Sequence, residues 1–395
     1  MEQLKKTPQE PIKGTKSNSI LYFYPFVTTQ LIYVVISSYL PIFFYNILDV
    51  DKTLLAFTQI ISYSALFLKP IISIYFDRSP KLKVPIRTLL ILIGTGIILS
   101  YILFVLTTPI LLVFGIILGI NFAFVSVIDI IIKKVLIKKS DTEKRKNKNV
   151  IFFQTGSFVG ALIPPILGLI LLPSWSLFFL STFLITIPLI VVLAFSGQPE
   201  YSQDKEILSK ETFKADYSLK QLILVCLFAF LIYADQLYQY PLEPYVVDLV
   251  GEFMFNILLL IFILINTIGT IIAGMISHRW NKKKILIINT AIAGVLLLFT
   301  PFIAPIVFLV IYAILMIVGG FIVVNLISLM IDTSKERITI YQTIAVFITL
   351  AKVIFVPLGT GLSAIIPTEE IIFVAGILFL ISLIPLFFIE PAPNQ

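Results

Sequence analysis

Apolar residues fall along this chain in runs near 20 residues long, each closed by a short polar or proline-marked turn. A helix rises about 1.5 Å per residue, so such a run crosses a hydrocarbon layer of ~30 Å. In lipid every backbone amide must be satisfied within its own segment, which predicts helices rather than isolated strands. The pattern predicts twelve spans, roughly 19–47, 54–76, 88–106, 109–132, 150–172, 174–195, 221–246, 253–277, 285–300, 305–331, 338–362 and 371–389. Spans three and nine are short, and tight turns follow them at Thr107-Thr108-Pro109 and from Pro301 to Pro305. The reading is an all-α integral membrane protein with twelve transmembrane helices in two six-helix halves.

Composition agrees. Of 395 residues 58% are hydrophobic and only 13% charged, too few charges to cover a soluble core of that size. One cysteine, Cys226, and one histidine, His278, exclude internal disulfides and leave no Cys/His metal cluster, so neither a metal nor a cofactor is expected. The first apolar stretch is too long, and lacks a clear small-residue cleavage site, to read as a removed signal peptide.

The net charge of +7 could point to nucleic acid, but its distribution does not. Of 29 lysines and arginines, 26 lie in the arm and in alternate loops. They are Lys5 to Lys16, Arg78 to Arg87, eight between Lys133 and Lys148, Lys205 to Lys220, Arg279 to Lys284, and Lys335 with Arg337. Only Lys52 lies in the opposite loops, which instead carry Asp49, Asp51, Asp248, Glu252, Glu369 and Glu370. Such asymmetry places the basic loops and both termini in the cytoplasm, in a multi-pass protein of the cell membrane. The basic loop of residues 133–149 sets topology and attracts anionic headgroups; nucleic acid is not an expected partner, the lipid bilayer is.

The polar stretch Gly197 to Lys220 divides the chain. The expected organisation is a cytoplasmic arm at 1–18, a six-helix half at 19–196, a cytoplasmic central loop at 197–220, a second half at 221–390 and a tail at 391–395. The halves share landmarks. Span one leaves as YLPIFFYNILD and span seven as PLEPYVVDLVGE, so Pro41 matches Pro244 at an offset of 203. Asp77 in FDRSPKLK matches His278 in SHRWNKKK at 201. Two landmarks at nearly one offset suggest an internal duplication, and repeated halves are a transporter architecture.

Those loops carry a resemblance. Gly274-Met275-Ile276-Ser277-His278-Arg279, with Lys282 to Lys284 after it, resembles the loop signature of the major facilitator superfamily: glycine, three residues, an acid, a basic cluster. The first copy keeps Asp77 and Arg78 but has Ser73 for the glycine; the second keeps Gly274 but has His278 for the acid. The resemblance covers the chain as twelve spans in two halves and implies the major facilitator fold, which commonly works as a monomer. It implies cytoplasmic gating by Asp77, Arg78, Gly274 and Arg279, with Asp77 latching the start of span eleven, near Ile338. A helix N-terminus favours such a negative partner. Lys69-Pro70, Asp77, Pro80 and the basic stretch to Arg87, with Asp129 in span four, are similar to the folate–biopterin transporter branch. Gly156, Gly160 and Pro164-Pro165 in span five read as close helix packing with a bend.

Four ionisable residues lie at membrane depth: Lys69, Asp129, Asp235 and Lys352. Each costs about 2.5–3.5 kcal/mol to insert and usually faces a cavity or another charge. Asp235 and Lys352 both lie 14 residues from an inner helix end, ~21 Å in. They are either a structural ion pair or a substrate and proton site. Lys69 is shallow enough to snorkel, and Asp129 has Lys133 one turn on. Polar residues also share helix faces: Tyr22, Thr29, Gln30, Tyr33 and Ser37 in span one, and Asp235, Gln236, Gln239, Tyr240 and Glu243 in span seven. Asn121 and Asn325 add amides in spans four and ten; the resemblance places these four spans at a central cavity. Either cavity lining or helix–helix hydrogen bonding explains such amides.

The expectation is a secondary active transporter that moves a small organic solute by alternating access. Lys352 with Lys69 suggests an organic anion, and Asp235 or Glu243 suggests proton coupling. A proton-driven multidrug or lipid exporter of the same fold is the alternative, and a non-transporting membrane receptor a remote one. No nucleophile–base set or phosphate loop marks an enzyme.

Overall fold

A computed structural model of the protein describes residues 19–69, 71–72, 86–107, 110–138, 143–171, 174–195, 219–276, 281–334 and 338–390. Among the described residues every regular element is a helix. α1 runs over Ser19–Val34 and continues through wide turns at Val35–Tyr39 and Phe43–Ile47 on either side of Pro41. Proline removes a backbone donor, and the widened turns absorb that loss. Asp49 takes the left-handed conformation after α1 (φ 47°), and Asp51 caps α2 (Lys52–Ser64) by accepting from the Leu54 amide at 2.8 Å. There follow α3 (Ile86–Thr107), α4 (Leu111–Lys138), α5 (Glu143–Leu171) and α6 (Trp175–Thr186, resuming at Pro188–Phe195).

The second half opens with α7 (Leu219–Leu231) and a tight turn at Ile232–Asp235, then α8 (Gln236–Ile276). The unbroken helix expected over 221–246 is therefore interrupted at Tyr233, whose ψ of 21° is not helical. α8 itself holds two helices that meet at Gly251, at φ 80° and ψ 160°, a conformation open to glycine. Leu219 to Ile276 spans 58 residues, about 87 Å of helix, so it must cross a ~30 Å layer twice. α9 (Lys282–Leu298), α10 (Pro305–Ser334), α11 (Ile338–Leu362) and α12 (Thr368–Phe388) complete the chain. Nine helical stretches among the described residues, the 58-residue one included, are long and apolar enough to cross a membrane, and Thr155–Leu171 is a shorter apolar one.

Packing repeats between the halves. Gly115 and Gly119 of α4 let it approach α2 at Thr58 and Ser62, while Gly319 and Gly320 let α10 approach α8 at Asn266 and Gly269. Asn121 and Asn325, both fully buried, follow Gly115 and Gly319 by six residues, an offset of 204 between the two copies. α5 lies on α1 through Gly156 and Gly160; a Cβ on either would stand 2.3 Å from the carbonyl oxygen of Phe23 or Val27. α11 lies on α8 in the equivalent way. Pro241 leaves the Leu237 carbonyl without its usual helical donor, and Gly359 of α11 packs against that oxygen. Between the halves, α2 packs on α11 and α5 on α8.

Candidate functional site

α1 meets the α7–α8 crossing along the seam between the halves, and the residues that touch are nearly equivalent by the internal repeat. Gln239 donates to the Tyr33 hydroxyl at 3.4 Å across 206 positions. Ser38 donates to Glu243 at 3.1 Å across 205, and Asn46 to Asp248 at 2.9 Å across 202. Residues related by a two-fold axis touch one another only near that axis, so this seam lies along it. At a spacing of 205, Gln30, Tyr33 and Ser38 correspond to Asp235, Tyr238 and Glu243. In the first and third of these pairs the neutral partner stands in the first half and the acid in the second.

Lys352 of α11 reaches this seam. Its ammonium lies 4.8 Å from the ring centre of Tyr33 and 6.0 Å from that of Tyr233. Aromatic faces attract a cation at that range. Asp235 lies within electrostatic reach of Lys352, yet no direct ion pair joins them among the described residues. One oxygen of Asp235 accepts from Gln236 at 3.1 Å, and the other is buried with no hydrogen-bond partner. The direct structural pair left open by the sequence is therefore not formed. The turn at Ile232–Asp235 is what sets Asp235 here, because it swings the acid off the regular helical path.

Around these charges stand tyrosines that periodicity did not single out. Tyr312 of α10 lies near Asp235, Glu243 and Tyr33. Tyr63 of α2 is near Tyr33 and Tyr240, and Gln59, one turn before it, is 3% exposed beside Tyr240. Gln59 and Tyr63 share a helix face in an apolar run, the same signal that marked spans one and seven. Gln236 and Tyr240 are buried, and Gln30 is half-buried on α1.

Other expected residues go elsewhere. Lys69 pairs with Asp129 at 3.7 Å, joining the segment just after α2 to α4, which gives each charge a partner within the first half. Asn121 donates to the Ile97 carbonyl and to Ser100 of α3, at 3.2 and 2.9 Å, so it ties helix to helix. Asn325 donates to its own helix at Phe321. Among the described residues no atom lies within 4 Å of where a Cβ on Gly274 would stand. Asp77, Arg78, His278 and Arg279 lie outside the described residues.

One end of the seam is closed. There Lys52 donates to the Ser363 carbonyl at 3.1 Å and lies 4.9 Å over the Tyr45 ring, while Tyr45 and Ser363 bond at 3.0 Å. Asn46 and Asp248 join there as well. Deeper in, the Tyr39 hydroxyl donates to buried Asn256, and Gly168 of α5 leaves room for both.

With this geometry in view, the chain compares with known proteins as follows. The family model described as Major Facilitator Superfamily matches residues 134–346 and 225–395. No curated protein sequence matches the chain. Among solved structures, the inward open xylose transporter XylE from E. coli is 12% identical, with a TM-score of 0.70 over 95% of both chains. The peptide transporter POT in complex with sulfate is 13% identical, TM-score 0.67, over 97% of this chain and 95% of that one. The nucleoside transporter NupG is 13% identical, TM-score 0.65, over 94% and 98%.

Proposed function

Because the chain belongs to the major facilitator superfamily, a family of membrane transporters, we propose that it is a secondary active transporter for a small organic solute with an acidic group. Its two halves rock about the seam between α1 and the α7–α8 crossing. The observation that carries the reading is Lys352, an ammonium held over Tyr33 and Tyr233 with no carboxylate bound to it among the described residues. Tyr33 belongs to the first half and Lys352 to the second, so the solute is held by both halves and released when they separate. Asp235 and Glu243 are the groups that couple protons to this movement. Both termini lie in the cytoplasm of a cell-membrane monomer, and the end closed by Lys52, Tyr45 and Ser363 faces outward. Asp77, Arg78 and Arg279 gate the opposite end.

The test is flux into proteoliposomes across a panel of organic anions, with and without an imposed proton gradient. The expected result is gradient-driven flux of at least one anion, lost in Lys352→Gln. Unchanged flux in that variant would sink the role given to Lys352. The exporter reading draws on Asp235, the acid with a free oxygen in an aromatic surround. It predicts that Asp235→Asn alone abolishes proton-driven efflux of lipophilic cations while Lys352→Gln leaves it intact.

Rocking has its own test. In a Cys226→Ala background, Asn46→Cys with Asp248→Cys should cross-link under oxidant and stop flux, and reductant should restore it. A cross-linked protein that still transports would exclude opening at that end.

A further inference from the structure

Two opposite charges share one aromatic site and do not pair with each other. Lys352 makes its close contacts with ring faces, which leave its N–H donors open to a ligand. Asp235 uses one oxygen on Gln236 and keeps the other buried and unbonded. A buried acceptor without a donor is costly, because it has given up its bond to water for nothing. Each charge is turned to a different neighbour, Lys352 to ring faces and Asp235 to Gln236. The arrangement has one unfilled anion-binding group and one unfilled acceptor, and Tyr233 lies near both.

A solute with only a carboxylate would satisfy Lys352. It would leave the free Asp235 oxygen unpaired and add a second negative charge beside it, where low dielectric magnifies repulsion. A solute with both charges fills both groups and adds no net charge. We propose that the solute of this site is a zwitterion: its acidic group is taken by Lys352, and its protonated amine by the unbonded oxygen of Asp235. This rests on the reading of the seam as a transport site. It sharpens that reading from an anion to a molecule that carries both signs. The asymmetry of the internal repeat fits, because Gln30 stands opposite Asp235 in the first half, so only one acid of that pair is offered to the amine.

The experiment uses matched trios in a thermal-shift titration of the purified full chain. The trios are phenylalanine, phenylpropionate and phenylethylamine; leucine, methylpentanoate and isopentylamine; aminovalerate, pentanoate and pentylamine. A ligand that binds only the folded state raises the melting temperature. For at least one scaffold, the zwitterion is expected to bind about tenfold or more tightly than either single-charge analogue. Asp235→Asn should erase that advantage while still binding the carboxylate, and Lys352→Gln should erase it while still binding the amine. Size-exclusion profiles of both variants identify any that fail to fold, and each variant tests the proposal without the other. A carboxylate that binds as tightly as its zwitterion overturns the proposal and leaves the anion reading in place. No shift from any trio also overturns it, while the rocking mechanism is judged separately by the cross-link at Asn46 and Asp248.

Discussion

Lys352, Asp235 and Glu243 differ in what surrounds them, and those surroundings decide what each variant should do. Tyr33 gives Lys352 a ring face, worth about 0.5–2 kcal/mol. Tyr33→Phe keeps the face and gives up only the long bond from Gln239, whereas Tyr33→Leu loses both, so Leu should lower thermal stability more than Phe; equal melting temperatures for the two variants would show that the ring contact contributes nothing. Lys69 and Asp129 neutralise each other within the first half. Removing one partner takes away this compensation for the other charge, so Lys69→Gln should destabilise more than Lys69→Gln combined with Asp129→Asn. Strictly additive losses in a double-mutant cycle would exclude their interaction. Asn121 was read as either lining a cavity or bonding a neighbouring helix. Bound to α3, it should cost about 0.6 kcal/mol when changed to alanine and leave solute affinity unchanged.

The helices approach one another through glycines, and the consequence of a side chain there can be graded. A Cβ at Gly359 would stand 1.6 Å from the Leu237 carbonyl oxygen, closer than any relaxation of a side chain could relieve. Gly359→Ala should therefore cost roughly 1–3 kcal/mol or more, read as a lower melting temperature in detergent. Gly361→Ala is the control on the same helix, because its Cβ would meet only Ala56 at 3.7 Å. Equal melting temperatures for the two variants would contradict the close packing of α8 and α11. The contact at Gly359 arises from proline as much as glycine: Pro241 frees the Leu237 carbonyl, and Gly359 is small enough to reach it.

Between the halves, the closed end is held by Lys52, Tyr45 and Ser363 together with Asn46 and Asp248. Each such hydrogen bond is worth about 0.5–1.5 kcal/mol. Lys52→Met with Tyr45→Phe should shift the population toward the state open at that end, several-fold in favour of labelling by a membrane-impermeant maleimide at Ser37→Cys in a Cys226→Ala background. Unaltered labelling would show that these contacts do not hold the end shut. The proposed solute site at Lys352 and Asp235 lies on the same seam, so on that proposal opening the end exposes the site rather than dismantling it.

Segment length, apolar content and the asymmetry of lysines and arginines were enough to read an all-helical, membrane-spanning chain, because lipid allows few alternatives. Repeated landmarks such as Pro41 and Pro244 pointed to the duplication, and the glycine–asparagine spacing of α4 and α10 gives it a packing basis. Periodicity also found the polar faces of α1 and of the α7–α8 crossing, since residues one turn apart share a face. It could not find the tyrosines of α2 and α10, or pair Lys69 with Asp129, because these contacts join residues far apart in sequence. Equal depth brought Asp235 and Lys352 to attention, but depth fixes only position along the membrane normal. The break at Tyr233, and the rings of Tyr33 and Tyr233 that Lys352 meets in place of a carboxylate among the described residues, come from helices packed across the chain, and only the tertiary structure decides that.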